Sequence, residues 1–71
     1  MSEIILSVHA KKRMRERGIS FEQVKSCFDF PDYVVNKINQ IEFFKKFRER
    51  TLKLICSREG KFIKIITLVW K

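Results

Sequence analysis

The chain predicts an α+β domain: two N-terminal helices packed on one face of a three- to four-stranded antiparallel sheet. Three observations point there. Ser7 and Ser20 each stand before a short segment of helical character. The only proline, Pro31, separates those segments from the rest. Beyond it, β-branched and aromatic residues recur in short runs, with Glu59-Gly60 as a good two-residue hairpin turn.

The elements follow in order. Ser7 caps a helix over Val8–Arg17, and Gly18 sits where helices commonly end in the left-handed conformation. Ser20 with Gln23 forms a capping box for a second helix, Phe21–Phe30, which Pro31 ends. At about 100° per residue, Phe21, Val24, Cys27 and Phe28 share one face of it, an ordinary core stripe. Strands are expected at Tyr33–Ile38, Ile41–Arg48, Thr51–Arg58 and Lys61–Trp70, with turns at Asn39-Gln40 and Glu49-Arg50. A turn at Glu59-Gly60 sets Cys56 opposite Ile63, Leu54 opposite Ile65 and Leu52 opposite Thr67. These, with Val69, form a nearly apolar face for the helices. Lys53, Ile55, Ser57, Phe62, Lys64, Ile66, Leu68 and Trp70 fall on the other face, which is either wet or a docking surface.

Length and composition bound the function. Seventy-one residues make a single domain, 1–71, with no linker or repeat. Hydrophobic residues are 45% of the chain, too many for disorder of the charged, apolar-poor kind. At this size burial and ordering entropy nearly cancel, so a homodimer or a bound partner is an unsurprising source of stability. Sixteen Lys and Arg against eight Asp and Glu give a net charge of +8, which favours polyanions such as RNA, DNA or an acidic protein. Cys27 and Cys56 match no metal spacing and read as buried thiols of a reducing cytoplasm. Ile4-Ile5-Leu6 is too short for a signal peptide, and no apolar run approaches membrane-spanning length, so a cytoplasmic protein with no membrane partner is expected.

The first helix breaks the usual amphipathic pattern. On a helical wheel His9, Arg13, Arg17, Ala10 and Met14 occupy an arc of about 140°, with Lys11, Lys12, Arg15 and Glu16 elsewhere. Ala10 and Met14 must be the packing contacts. His9, Arg13 and Arg17 then run at i, i+4 and i+8 along the helix–sheet seam. Such groups are costly to half-bury unless something anionic meets them, and a phosphate suits an Arg fork. His can move a proton near neutral pH. Thr67, the one hydroxyl on the expected apolar sheet face, would join them. The alternative is structural: Arg13 and Arg17 pair with Glu16, Glu22, Asp29 or Asp32, and His9 donates to a carbonyl. No metal or cofactor is called for, because the carboxylates are scattered.

A second basic cluster, Lys45, Lys46, Arg48, Arg50 and Lys53, surrounds one hairpin. With Ile41, Phe43 and Phe47 on the core face, Lys45 joins that face and suggests the anion pocket again. A shift by one residue selects Phe44, Lys46 and Arg48 instead. Basic residues interleaved with Phe43, Phe44 and Phe47 suit single-stranded nucleic acid, and equally a solvated strand over a core.

The stretch His9-Ala10-Lys11-Lys12-Arg13-Met14-Arg15-Glu16-Arg17-Gly18-Ile19-Ser20, an HAxxRMxxRGIS pattern, resembles a family of small uncharacterised prokaryotic domains. The closing Ile65-Ile66-Thr67-Leu68-Val69-Trp70 resembles its final strand. The likeness implies a place near the RelE, BrnT and barnase–EndoU–colicin group of folds, which includes many ribonucleases and toxins of toxin–antitoxin pairs. It highlights His9, Arg13, Arg17 and Thr67. It departs from RelE-like nucleases in having Tyr33 as its only tyrosine. The expected function is therefore a metal-independent, toxin-like endoribonuclease, with RNA as substrate and an acidic antitoxin-like protein as partner. The rival readings are a non-catalytic nucleic-acid-binding module and a protein-interaction domain whose Lys-and-apolar sheet face docks an acidic partner.

Overall fold

The computed structural model describes residues 3–71, so residues 1–2 of the expected 1–71 domain lie outside the described residues. The elements are β1 (Glu3–Leu6), α1 (Val8–Arg17), α2 (Phe21–Asp29), β2 (Tyr33–Asn36), β3 (Ile41–Phe47), β4 (Arg50–Glu59) and β5 (Phe62–Trp70). The sheet order is β1-β5-β4-β3-β2, antiparallel except that β1 runs parallel to β5. The α+β class and the two leading helices stand. The expected three- to four-stranded antiparallel sheet is corrected to a five-stranded mixed one. The added strand is the apolar run at Ile4–Leu6. It is too short to read as a strand by itself and is defined by its partner, with Ile4 opposite Ile63 and Leu6 opposite Ile65.

Both helices start and stop on local chemistry. The Ser7 hydroxyl accepts from the Ala10 N–H, and Gly18 ends α1 at φ 63°, donating to the Met14 carbonyl. Ser20 and Gln23 close a reciprocal capping box at α2. Removing the Ser20 hydroxyl (Ser20→Ala) orphans the Gln23 N–H. We expect a loss of about 1 kcal/mol, read as a fall of several degrees in Tm by thermal denaturation.

The core lies between the helices and one sheet face. Ala10, Ile19, Val24 and Cys27 meet Ile41, Phe43, Leu52, Leu54, Cys56, Ile65 and Leu68, with Met14 and Phe28 packed against them. Ala10 and Met14 are thus the packing contacts of α1, as the wheel requires. Phe21, expected in the core stripe of α2, is 49% exposed, because it stands at the first residue of the helix, off the end of the sheet's apolar face.

The β4–β5 register departs from the expected one in two steps. Glu59 pairs with Phe62, so the turn is Gly60-Lys61, with Gly60 at φ 63°. This moves the pairing by an even number and keeps Cys56 and Ile65 on the helix face. Between Ile55 and Cys56 the register then slips by one, a β-bulge at Ile66. Past the bulge every side chain of β5 changes face. Leu54 pairs with Leu68 and Leu52 with Trp70, while Thr67 pairs with Ile55 and Val69 with Lys53. Leu68 and Trp70 therefore join the core side, and Thr67 and Val69 leave it. The energetic reason is visible: the slip buries Leu68 fully and keeps a threonine hydroxyl out of the apolar layer.

Candidate functional site

Helix α1 lies along the bulged part of β5 and is strapped to it at both ends. At its start the Ser7 N–H donates to the Ile65 carbonyl (3.2 Å), and the Ser7 hydroxyl donates to the Ile66 carbonyl (2.9 Å). At its end Arg17 Nη1 donates to the Leu68 carbonyl (2.7 Å), and Trp70 Nε1 donates back to the Arg17 carbonyl (3.0 Å). The pairing with β1 ends at Ile65, so past it the Ile66 and Leu68 carbonyls are taken by the helix instead of a strand. Arg17 thus reaches the helix–sheet seam, but its partner there is a backbone carbonyl.

His9 and Arg13 occupy the same edge of α1 one and two turns earlier. Arg13 Nε donates to His9 Nε2 (3.3 Å). Arg13 Nη1 also bridges Glu16 (2.7 Å). That hydrogen bond holds the Glu16 carboxyl below its ordinary value of 4.5. His9 is exposed and Arg13 half-buried, so the pair is open to solvent beside the seam.

The structure brings His9 and Arg13 together, sets Arg17 at the far end of the same helix, and sets Thr67 on the opposite face of the sheet. The expected placement of Thr67 beneath α1 is corrected by the bulge: Thr67 stands beside Ile55 on the side away from the helices. A run of alternating residues carries no mark of where an extra one is inserted, so the slip was not legible in the sequence.

The hairpin cluster divides among three surroundings. Lys45 is on the helix face, as one of the two expected registers has it, but its Nζ donates to the Phe30 carbonyl (2.8 Å) and so closes the end of α2. The anion pocket suggested for Lys45 is therefore corrected to a helix-end contact. Lys46 and Lys53 point to the open sheet face. There the Tyr33 and Phe44 rings stack at 4.4 Å, and Lys53 and Lys71 lie over Phe44. Glu42, only 5% exposed, lies on that open face and pairs with Lys37 (3.2 Å) and Lys53 (3.7 Å). Its place in the strand alternation, between Ile41 and Phe43, was the available signal that it faces away from the helices.

Arg48 and Glu49 form the β3–β4 turn, one residue earlier than expected, and Arg50 follows it. Arg48 holds φ 59°, the only positive φ at a non-glycine residue among those described. Arg50 lies over the Trp70 ring, with Cζ 4.1 Å from the centroid. Between this turn and the α1–α2 corner opens a cleft of about 780 Å³ lined by Gly18, Gln23, Phe47, Arg48, Arg50 and Trp70, with Glu49 at its turn. Trp70 was expected on the other face; the bulge delivers it here.

Both thiols are buried in the core. Burial pushes both Cys27 and Cys56 from an ordinary 9.0 up to about 12. Because folding raises these values, the stability they contribute is complete below about pH 9 and is lost as pH rises towards 12. The native protein at pH 8 should therefore show no fast-reacting thiol to a colorimetric disulfide reagent, and two after denaturation. A fast native reaction would contradict the burial.

Among the described residues no three His, Cys, Asp or Glu side chains gather in a metal-holding group, and no helix is long and apolar enough to cross a membrane. No curated protein and no solved structure matches the chain. Residues 6–70, from the end of β1 to the last residue of β5, do match one family. The chain belongs to the family described as "Domain of unknown function (DUF4258)".

Proposed function

We propose that this domain acts on RNA phosphodiesters as a metal-independent, toxin-like endoribonuclease of the reducing cytoplasm, related to the RelE and BrnT type. The observation that carries the proposal is the His9–Arg13 pair: the chain's one histidine, solvent-open, with a guanidinium hydrogen-bonded to its Nε2. A phosphate arriving at this edge takes the Arg13 fork, and Arg13 releases Nε2. Nε2 then accepts the proton of the adjacent ribose 2′-hydroxyl. The 2′-oxygen attacks phosphorus, the bond from phosphorus to the 5′-oxygen breaks, and His9 returns the proton to that leaving oxygen. Arg13 stabilises the charge gathered on the phosphorane. The products are a 2′,3′-cyclic phosphate and a free 5′-hydroxyl.

Two observations favour the non-catalytic RNA-binding reading. Arg17 is occupied by the Leu68 carbonyl, and Thr67 is across the sheet from His9. In the catalytic reading Arg17 positions α1 on β5, and Thr67 belongs to the open face. That face carries Lys37, Lys53 and Lys71 around its aromatic stack and suits an acidic antitoxin-like partner. The decisive experiment is incubation of purified protein with structured and single-stranded RNA in EDTA, followed by end-group analysis. Cyclic phosphate ends support the enzyme. Tight, salt-sensitive binding that leaves the RNA intact supports the binding module.

A further inference from the structure

We propose that the cleft between the α1–α2 corner and the β3–β4 turn is a nucleotide subsite for single-stranded RNA, with Trp70 as its stacking platform. The inference rests on the RNA-directed reading above but uses different residues. Trp70 is fixed in place on two sides. Its Nε1 is held by the Arg17 carbonyl (3.0 Å), and it makes an edge-to-face contact with the Phe47 ring at 6.3 Å and 87°. The Arg50 guanidinium, a flat cation on an exposed side chain, lies over the Trp70 ring. A fixed indole under a movable planar group is a platform with a placeholder. An unstacked base gains more on an indole than an exposed cation does, so the base displaces Arg50.

The displaced guanidinium has somewhere to go. Neither Arg50 nor Arg48 has a carboxylate within ion-pair distance among the described residues. Both stand at the mouth of the cleft, so both forks are available to the phosphates on either side of the stacked base. Arg48 sits at φ 59°, a conformation that costs a branched or long side chain and that often marks functional turns. Glu49, the carboxylate of the lining, repels any phosphate beyond these two and limits the subsite to a single nucleotide step. The ligand class is therefore one base and its flanking phosphates within a single strand. A duplex keeps its bases stacked and has none to offer.

Trp70 is the only tryptophan, so its fluorescence reports on this subsite alone. The probe is a short 2′-O-methyl oligoribonucleotide, which cannot be cleaved by 2′-oxygen attack. We expect saturable quenching, with a midpoint raised about tenfold or more by the Arg48→Ala/Arg50→Ala pair. Heparin, a polyanion without bases, should compete for the protein yet leave the emission unquenched. Equal quenching by heparin, a midpoint unmoved by the double substitution, or no quenching where filter binding shows a complex would each overturn the subsite. Trp70→Phe, checked for folding by circular dichroism, should weaken oligonucleotide retention on filters by a smaller factor than Trp70→Ala. Equal retention by all three proteins would also overturn it. The two proposals fail separately. Quenching without cleavage removes the catalytic role of His9 and keeps the subsite. Cleavage without quenching keeps the enzyme and removes the subsite.

Discussion

His9→Ala is expected to lower RNA cleavage by about 100-fold or more, the usual worth of a positioned proton-transfer group, with little change in Tm. The structural side of this expectation is direct. His9 is exposed, and its one side-chain hydrogen bond is to Arg13, which keeps its second bridge to Glu16. Exposed substitutions of this kind move stability by less than about 0.5 kcal/mol. A large loss of activity with an unchanged melting curve therefore separates chemistry from folding. Arg13→Lys extends the test. Lysine keeps the charge but not the fork, so activity should fall while bulk RNA binding stays close to that of the parent. Full cleavage by His9→Ala would sink the mechanism outright. An equal, salt-dependent weakening of RNA binding in both variants, without cyclic ends in either, would assign the pair to phosphate contact alone.

Leu54→Ala should be the most damaging single truncation in the fold, costing about 2–5 kcal/mol. Leu54 is fully buried at the middle of the central strand, between Phe43 on β3 and Leu68 on β5. Neither neighbour can collapse into the space without breaking its own ladder. A domain this small has a total stability of roughly 4–10 kcal/mol, so the variant stands at the edge of unfolding at ambient temperature. Urea denaturation followed by far-ultraviolet circular dichroism measures it. A midpoint shift with an unchanged slope is expected, since the surface exposed on unfolding barely changes. A loss under about 1 kcal/mol would mean that the β3–β4–β5 layer packs less tightly than its full burial requires.

Much of the helical part was legible because its determinants are local. Ser7, Gly18, Ser20 and Gln23 act on backbone groups within a few residues, and all four do what their positions require. Ala10 and Met14 were identifiable as packing contacts because a helix with so few apolar residues has no other choice. Two registers of β3 are open to the sequence, and only one of them sets Lys45 on the helix face. Strand alternation places a lysine on the helix side, yet only the arrival of α2 brings the Phe30 carbonyl to its ammonium. Glu42 shows the converse: alternation puts it on the open face, and only Lys37 and Lys53 make that face a place where a carboxylate can be buried.

By itself the amino-acid order determined the α+β class, the helix limits and the edge of α1 that carries His9, Arg13 and Arg17. These follow from caps, turn residues and a 3.6-residue period, all of which act between near neighbours. Only the tertiary structure decided that β1 joins as a parallel edge strand, that β5 bulges at Ile66, and that Thr67 and Trp70 consequently exchange faces. Those outcomes depend on hydrogen bonds between residues 59 positions apart at Ser7–Ile66 and 51 apart at Arg17–Leu68. A one-residue slip preserves every local preference of the strand while reversing its faces. The choice rests with the apolar volume that Leu68 fills and the carbonyls that Ser7 and Arg17 hold.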